Sequence, residues 1–139
     1  MRKFRFRLQS VLNYQRRLEE EAKAAYQAAM SKRIEIEMEI NNLGIRRDIE
    51  LARPIAGLES LLTLTHYVDR LDRERGDLEI AQDILLQEEE AAKLAWIEAR
   101  KSAEAIEKLR TKQLEEYQLE ASRAEQRDLD EWAITRRAA

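Results

Sequence analysis

The chain has 139 residues, a net charge of −3 and no cysteine. The lack of cysteine excludes a disulfide framework and thiolate chemistry, and the small net charge favours no class of partner. Charged residues make up 38% of the chain and aromatic residues 6%, with 3 glycines and 1 proline. Abundant Ala, Glu, Leu, Lys and Arg with so few turn residues indicate long helices, which cover their apolar stripes by pairing.

The beginning of the chain is basic and aromatic. Residues 1–17 contain six Arg or Lys residues and no acidic residue, and Phe4 and Phe6 lie among them. Charged and apolar residues alternate from Lys3 to Leu8 as in a strand, and helical spacing follows. We rank three uses of this basic segment: contact with a protein, the plain beginning of a helix, and nucleic-acid binding. Nucleic acid comes last because residues 72–104 contain ten acidic residues against five basic ones and no nucleic-acid motif is present.

The first helix is predicted at about residues 5–52, from heptad spacing of its apolar residues. A companion row begins at Val11 and gives way to apolar residues at Ile40 and Ile45, as in a stutter. The main row consists of Leu8, Gln15, Ala22, Ala29, Ile36 and Leu43.

The main break in the helical pattern is predicted at about residues 53–58. Pro54 cannot continue a helix interior, and Gly57 supplies a permissive backbone. A second helix is predicted at about 59–136, with Gly44 and Gly76 as possible kinks in the two helices. Its main heptad row consists of Leu64, Leu71, Leu78, Leu85, Ala92, Ala99 and Ile106 and fades at Gln113 and Glu120. Its mixed companion row consists of Tyr67, Glu74, Ala81, Glu88, Ala95, Ser102 and Leu109.

Two helices joined by a short turn run antiparallel. The predicted fold is therefore all-α: residues 1–139 form a single, long, antiparallel two-helix coiled-coil hairpin whose C-terminal helix is longer. Matching the alanine-rich stretches at 22–29 and 91–105 places the tip near residue 60 and leaves about 20 C-terminal residues unpaired, a length of ~30 Å. A short extra helix around 58–74 is the alternative. Heptads alone do not distinguish this hairpin from an intermolecular coiled coil.

The sequence contains no constellation of catalytic residues. His66 is the single histidine and has no nucleophile motif around it, and three glycines cannot build a phosphate-binding loop. The glutamate runs 19–21 and 88–90 fan around a helix, so we interpret them as solvated faces rather than metal ligands. We predict a protein that is not an enzyme and uses no cofactor and no metal. Because it has no apolar run of about 18 residues and no secretory signal, we predict a cytoplasmic location without membrane insertion.

The C-terminal end carries an apolar stripe on a polar helix. Trp132 and Ala133 follow Leu129 at spacings of 3 and 4, which places the three residues on one helical face. If this end has no partner helix, an exposed Trp and Leu indicate a contact site. The alternative is that Trp132 packs on Phe4 or Phe6.

Three segments of the chain form a recognisable set: KFRFRLQSVLNYQ and LEEEAKAAY near the beginning, and RAEQRDLDEWAITRR near the end. With these segments the chain resembles the FliJ family, the small stalk-like components of the bacterial flagellar type III export apparatus. The resemblance implies a coiled coil in the central hole of the hexameric export ATPase, which promotes the assembly and activity of that ATPase. It also implies contacts with the membrane export-gate protein and with export chaperones.

The resemblance also implies two sets of contact residues. The implied ATPase-binding residues are Phe4, Phe6, Leu8, Leu12, Gln126, Leu129, Asp130 and Trp132. The implied export-gate residues are Tyr67, Leu71, Glu74 and Leu78. Glu74 and Leu78 depart from the family pattern, and Leu71 and Leu78 also fall on the predicted coiled-coil seam, which we favour for them. A generic scaffolding coiled coil and the equivalent injectisome stalk are the alternative functions.

Overall fold

The structure is a computed structural model that describes residues 2–138. It contains two α-helices, α1 at Gln9–Ala52 and α2 at Leu58–Ala138, and no strand among the described residues. The two helices pack against each other as an antiparallel hairpin, and α2 is the longer. The predicted fold class is therefore confirmed.

Helix α1 begins at Gln9 rather than near residue 5. Residues 2–6 form neither helix nor strand, and the alternation of exposed and covered side chains from Lys3 to Phe6 is that of an extended backbone. They lead into a turn, in which the Gln9 amide donates to the Phe6 carbonyl at 3.1 Å. The strand-like alternation of this segment explains the later beginning, because it turns Phe4 and Phe6 to one side, where Phe6 is buried.

The turn between the helices spans residues 53–57. Gly57 has a φ of 98°, which side chains with a Cβ rarely adopt, and its carbonyl accepts the first hydrogen bond of α2, from the Leu61 amide at 3.1 Å. Helix α2 continues without a break from Leu58, so the alternative of a separate short helix at 58–74 is wrong. Both helices also continue through Gly44 and Gly76.

The described chain divides into two compact units. The terminal unit consists of residues 2–20 and 97–138, and the central unit of residues 21–96. The interpretation of the chain as a single domain stays a prediction. In the terminal unit Phe6, Leu12 and Ala103 are buried. In the central unit Leu43 and Leu71 are buried.

The burial pattern confirms the predicted main heptad rows. Every member from Leu8 to Leu43, and from Leu64 to Gln113 in α2, is buried or half-buried, while Glu120, the last predicted member of the second row, is exposed. The two companion rows were each predicted one residue too early, since Val11 and Leu109 are exposed while Leu12 and Arg110 are covered. The companion row is Leu12, Glu19, Tyr26, Arg33, Ile40 and Arg47 in α1, and Val68, Arg75, Gln82, Glu89, Trp96, Ala103, Arg110, Tyr117 and Ala124 in α2; of these, Arg75 is exposed and the others are buried or half-buried.

Once the companion row is shifted by one residue, the apolar residues of α1 keep their seven-residue period without the stutter that the sequence suggested. Ile40 belongs to a companion row that keeps its seven-residue period, and Ile45 is exposed on another face. The row contains long polar and aromatic side chains, whose stems pack along the seam while their polar ends find partners. Counting apolar residues alone therefore placed it wrongly.

Candidate functional site

The beginning of the chain packs on α2 within the terminal unit. The Phe4 ring lies 5.6 Å from the Tyr117 ring, and the Tyr117 hydroxyl donates to the Arg2 carbonyl oxygen. The Arg110 guanidinium lies 5.9 Å from the centre of the Phe4 ring and donates to the Gln9 side-chain oxygen at 3.0 Å. These contacts fix the extended segment on the side of α2.

The positive charge of this segment remains accessible. Arg2, Lys3, Arg5 and Arg7 are exposed, while the two phenylalanines between them are covered. Alternation along an extended backbone explains the separation, because successive side chains point to opposite sides. The segment is therefore held to the chain by its aromatic side chains and presents its basic ones to solvent.

The last part of α2 has no covering element in the terminal unit. Every residue from 125 to 138 is exposed, and Leu129 and Trp132 keep 60% and 59% of their surface. The Arg136 guanidinium lies 5.0 Å from the centre of the Trp132 ring, one turn along the same helix. Phe4 is occupied by Tyr117 and Phe6 is buried, so the alternative in which Trp132 packs on them is wrong.

The polar side chains of this end bond along the helix. The Gln126 amide donates to the Asp130 carboxylate at 3.2 Å, and the Thr135 hydroxyl donates to the Glu131 carbonyl at 2.9 Å. The last turn contains Arg136 and Arg137, whose charge favours the C-terminus of a helix. We call residues 125–138, with their exposed Leu and Trp, the C-terminal contact surface.

The remaining residues of the predicted ATPase set lie further inside the terminal unit. Leu12 has no exposed surface, Phe6 is buried, and Leu8 and Phe4 are half-buried. These four side chains pack within the chain. Their predicted contact with an ATPase stays a prediction, and for Leu12 any such role is indirect because a partner cannot touch its side chain.

The four residues of the predicted gate set lie along α2 in the central unit. Leu71 is buried and Leu78 is half-buried, which agrees with the seam interpretation that the sequence favours for them. Tyr67 is half-buried beneath the Arg70 guanidinium, 5.2 Å from the ring centre, and Glu74 is exposed. Of the four side chains, only that of Glu74 is exposed, so a gate role for the set stays a prediction.

Sequence reasoning missed the ionic cluster of the central unit. Arg33 bonds Glu89 of the opposite helix and also Glu37 one turn along α1, at 2.9 Å. Only 21% of the Arg33 side chain and 14% of the Glu89 side chain are exposed. The hydrogen bonds with Glu89 and then Glu37 raise the pKa of Arg33. The interpretation of residues 88–90 as a wholly solvated run is therefore wrong for Glu89.

The described residues offer no arrangement for catalysis by metal ions. Residues 2–138 contain no group of three His, Cys, Asp or Glu side chains placed to hold a metal ion, and His66 is exposed. Neither of the two described helices is at once long enough and apolar enough to span a bilayer. What the fold does present is a two-helix hairpin whose longer helix ends in an exposed aromatic side chain, which places the chain in the class of all-α coiled-coil proteins.

The particular family follows from comparison with known proteins. The family model of the flagellar FliJ protein matches residues 4–138. The chain therefore belongs to the FliJ family, and the resemblance found in the two end motifs is confirmed. Searches of curated proteins and of solved structures give no match. Membership makes this a flagellar export-related protein, in a family whose members are non-catalytic export components.

Proposed function

We propose that this protein is a stalk-like coiled coil that inserts in the hexameric export ATPase, promotes its assembly and activity, and links it to the export gate and to export chaperones. Family membership supports the setting in flagellar export. The single structural observation that supports the ATPase contact is the exposed Leu129 and Trp132 on an uncovered helix end.

The C-terminal contact surface supplies the features of a binding hot spot. Trp and Arg are enriched at such positions, and here the Arg136 guanidinium already lies on the Trp132 ring. The ring is held by a neighbour on its own helix, so less freedom is lost when a partner covers it. The exposed basic residues 2–7 add positive charge to the same unit, and we propose that they face acidic side chains of the ring.

A stalk of this kind needs no active site. It can act by binding one arrangement of the ATPase ring more tightly than others, which shifts the population of the ring toward that arrangement. We therefore propose a protein that is not an enzyme, uses no cofactor and binds no nucleic acid. We place it in the cytoplasm at the cytoplasmic face of the inner membrane, without insertion into the bilayer.

The gate contact is proposed at the start of α2. Glu74 is exposed, and Tyr67 lines a groove together with Pro54 and Ile55 of the turn. We propose that Tyr67 and Glu74 make the direct contact, while Leu71 and Leu78 hold α2 against α1 beneath them. In this arrangement the proposed gate-binding residues lie on α2 directly beside the residues that pack against α1.

The experiment measures ATP hydrolysis by the cognate hexameric ATPase with and without this protein. We expect stimulation by the native chain, and a loss of at least tenfold in binding for the double variant Leu129→Ala with Trp132→Ala. Ile134→Ala is the matched control, since Ile134 is 67% exposed on the opposite side of the same helix turn. Unchanged helicity and melting temperature in all variants would show that the loss concerns the contact rather than the fold.

Two results would end the proposal. If the native chain neither binds nor stimulates the ATPase, the protein is a scaffolding coiled coil rather than an ATPase stalk. If the double variant and the Ile134→Ala control behave alike, the C-terminal contact surface does not carry the interaction. Pull-down from the native cytoplasm, with identification of the partners, then tests whether the gate and the chaperones bind independently of the ATPase.

A further inference from the structure

The outer face of α1 in the central unit carries a second heptad row. Ile34, Met38 and Ile45 are 43%, 60% and 49% exposed. They are separated by 4 and 7 residues, and Asn41 divides the longer interval into 3 and 4. Gln27 and Ser31 extend the same alternation toward the N-terminus. In a chain with 38% charged residues, these six positions contain no charge, and the charged Asp48 follows at the next position of the row.

This row is distinct from the seam with α2. Ile36, Ile40 and Leu43 of the seam are buried or half-buried. With 3.6 residues per turn, the outer row lies about 180° around the helix from them. Within residues 21–96, nothing covers the outer row. Uncharged residues at alternating spacings of 4 and 3 are the pattern by which one helix packs along another.

We propose that this outer face binds the same face of a second copy of the chain, in antiparallel orientation, to form a reversible dimer. The centre of the contact lies between residues 39 and 40. Ile34 then faces Ile45 of the second copy, and Met38 faces Asn41 of the second copy. Pairing one surface patch with itself about a twofold axis is the usual form of a homodimer.

The charges beside the row favour this occupant and this orientation. Glu35 and Arg46 lie along the same edge of the row, on opposite sides of its centre, and both are exposed. Antiparallel pairing brings Glu35 of each copy beside Arg46 of the other. In a parallel pair, the same edges of the two copies lie on opposite sides of the contact, so Glu35 of one copy would not meet Arg46 of the other. Glu39 lies further around the helix, toward the seam, and does not oppose its counterpart closely.

Asn41 restricts the register of the contact. A single buried Asn in a coiled-coil row specifies alignment and the number of strands at some cost in stability. Together with Ser31 and Gln27, it makes the row less apolar than an obligate interface. The association is therefore expected to be weak and reversible, with dimer forming as concentration rises.

The test is sedimentation of the full chain from low micromolar to millimolar concentration. We expect a monomer–dimer equilibrium whose dissociation constant rises at least tenfold in the double variant Met38→Glu with Ile45→Glu. Ile84→Glu is the control, because Ile84 is 53% exposed on the outer face of α2. A charge exchange sharpens the test: Glu35→Arg alone weakens the dimer, and Glu35→Arg with Arg46→Glu restores it.

The absence of native cysteine allows a direct measurement of orientation. A spin label on a single cysteine introduced at Asn42, near the centre, should give a short distance between copies. A label at Gln27 should give a distance of about 35–40 Å, from the 1.5 Å rise per residue. A monomer at every concentration overturns the proposal. So does a dimer insensitive to the Met38 and Ile45 changes, a short distance at both positions, or an outer face that binds only a helix of another protein.

Discussion

One heptad row contains different chemistry at two places, one in each unit of the hairpin. In the terminal unit this row contains Leu12 and Ala103, which have 0% and 2% of their surface exposed. In the central unit it contains Arg33 and Glu89, which bond each other across the seam. Apolar packing stabilises by removing surface from water, whereas an ion pair gains little net free energy once the charges lose their own water.

The difference indicates a division of roles along the seam. An apolar contact tolerates small slips between helices, because a neighbouring Leu or Ala can replace the one that moves. A charged pair does not, since slippage leaves a covered charge without its partner. We therefore infer that packing in the terminal unit contributes mainly to stability, and that the Arg33 cluster contributes mainly to the alignment of the helices in the central unit.

The largest effect is expected from Leu12→Ala, which removes the most deeply buried side chain of the terminal unit. Loss of its contacts and the cavity left behind should lower the free energy of unfolding by about 2–3 kcal/mol, the low end for core truncations. Urea unfolding followed by circular dichroism measures the change. Val11→Ala is the control: Val11 is 40% exposed one position earlier, and its cost should be about 0.5 kcal/mol or less. Equal losses of stability in Leu12→Ala and Val11→Ala would show that the seam has been assigned to the wrong heptad row.

Substitutions in the Arg33 cluster are expected to lower stability less than Leu12→Ala does, and to disturb the alignment of the two helices more. Arg33→Leu or Glu89→Leu alone should lower the melting temperature, because each leaves a covered charge unpaired. The double variant should recover most of that loss, since two apolar residues can replace the pair. Spin labels at Lys32 and Glu90 should nevertheless show a broader distance distribution in the double variant than in the native chain.

Two further observations sharpen the test of the cluster. Arg75→Leu with Glu79→Leu is the control, since that pair bonds within α2 and is about half exposed. The raised pKa of Arg33 means that its stabilisation is fully present below the ordinary pKa of an arginine and is lost only as pH rises through the still higher folded value. Moderate alkali should therefore leave the contribution of the Arg33 charge intact. If the Arg33→Leu, Glu89→Leu double variant were as unstable as the single variants, the cluster would contribute mainly to stability rather than to alignment.

Much of the fold could be predicted from the sequence because its apolar side chains keep a strict period. Leu64, Leu71, Leu78 and Leu85 repeat every seven residues, and Pro54 with Gly57 marks the turn. The companion row could not be found in this way. Its seam positions include charged and amide side chains, which look like surface residues in a count of hydrophobicity. Their partners across the hairpin become visible only when both helices are aligned.

Part of the candidate site could likewise be predicted from the sequence, and part of it could not. Exposure of Leu129 and Trp132 was predictable, because α2 continues beyond the length that α1 can cover. The contacts of Phe4 with Tyr117 and Arg110 were not, because they depend on an extended segment whose path the helical period does not describe. The sequence does contain one signal for this path, the alternation of charged and apolar residues from Lys3 to Leu8.

The smallest effect is expected at Tyr117 in the terminal unit, whose side chain makes both an aromatic contact and a hydrogen bond. Tyr117→Phe keeps the ring beside Phe4 and removes only the hydroxyl that donates to the Arg2 carbonyl oxygen. Because the carbonyl can then bond water, the free energy of unfolding should fall by only about 0.5–1.5 kcal/mol. Tyr14→Phe, at an exposed position of α1, is the control and should change nothing measurable. A cost as large as that of Leu12→Ala would mean that the hydrogen bond, rather than aromatic packing, holds the beginning of the chain on α2.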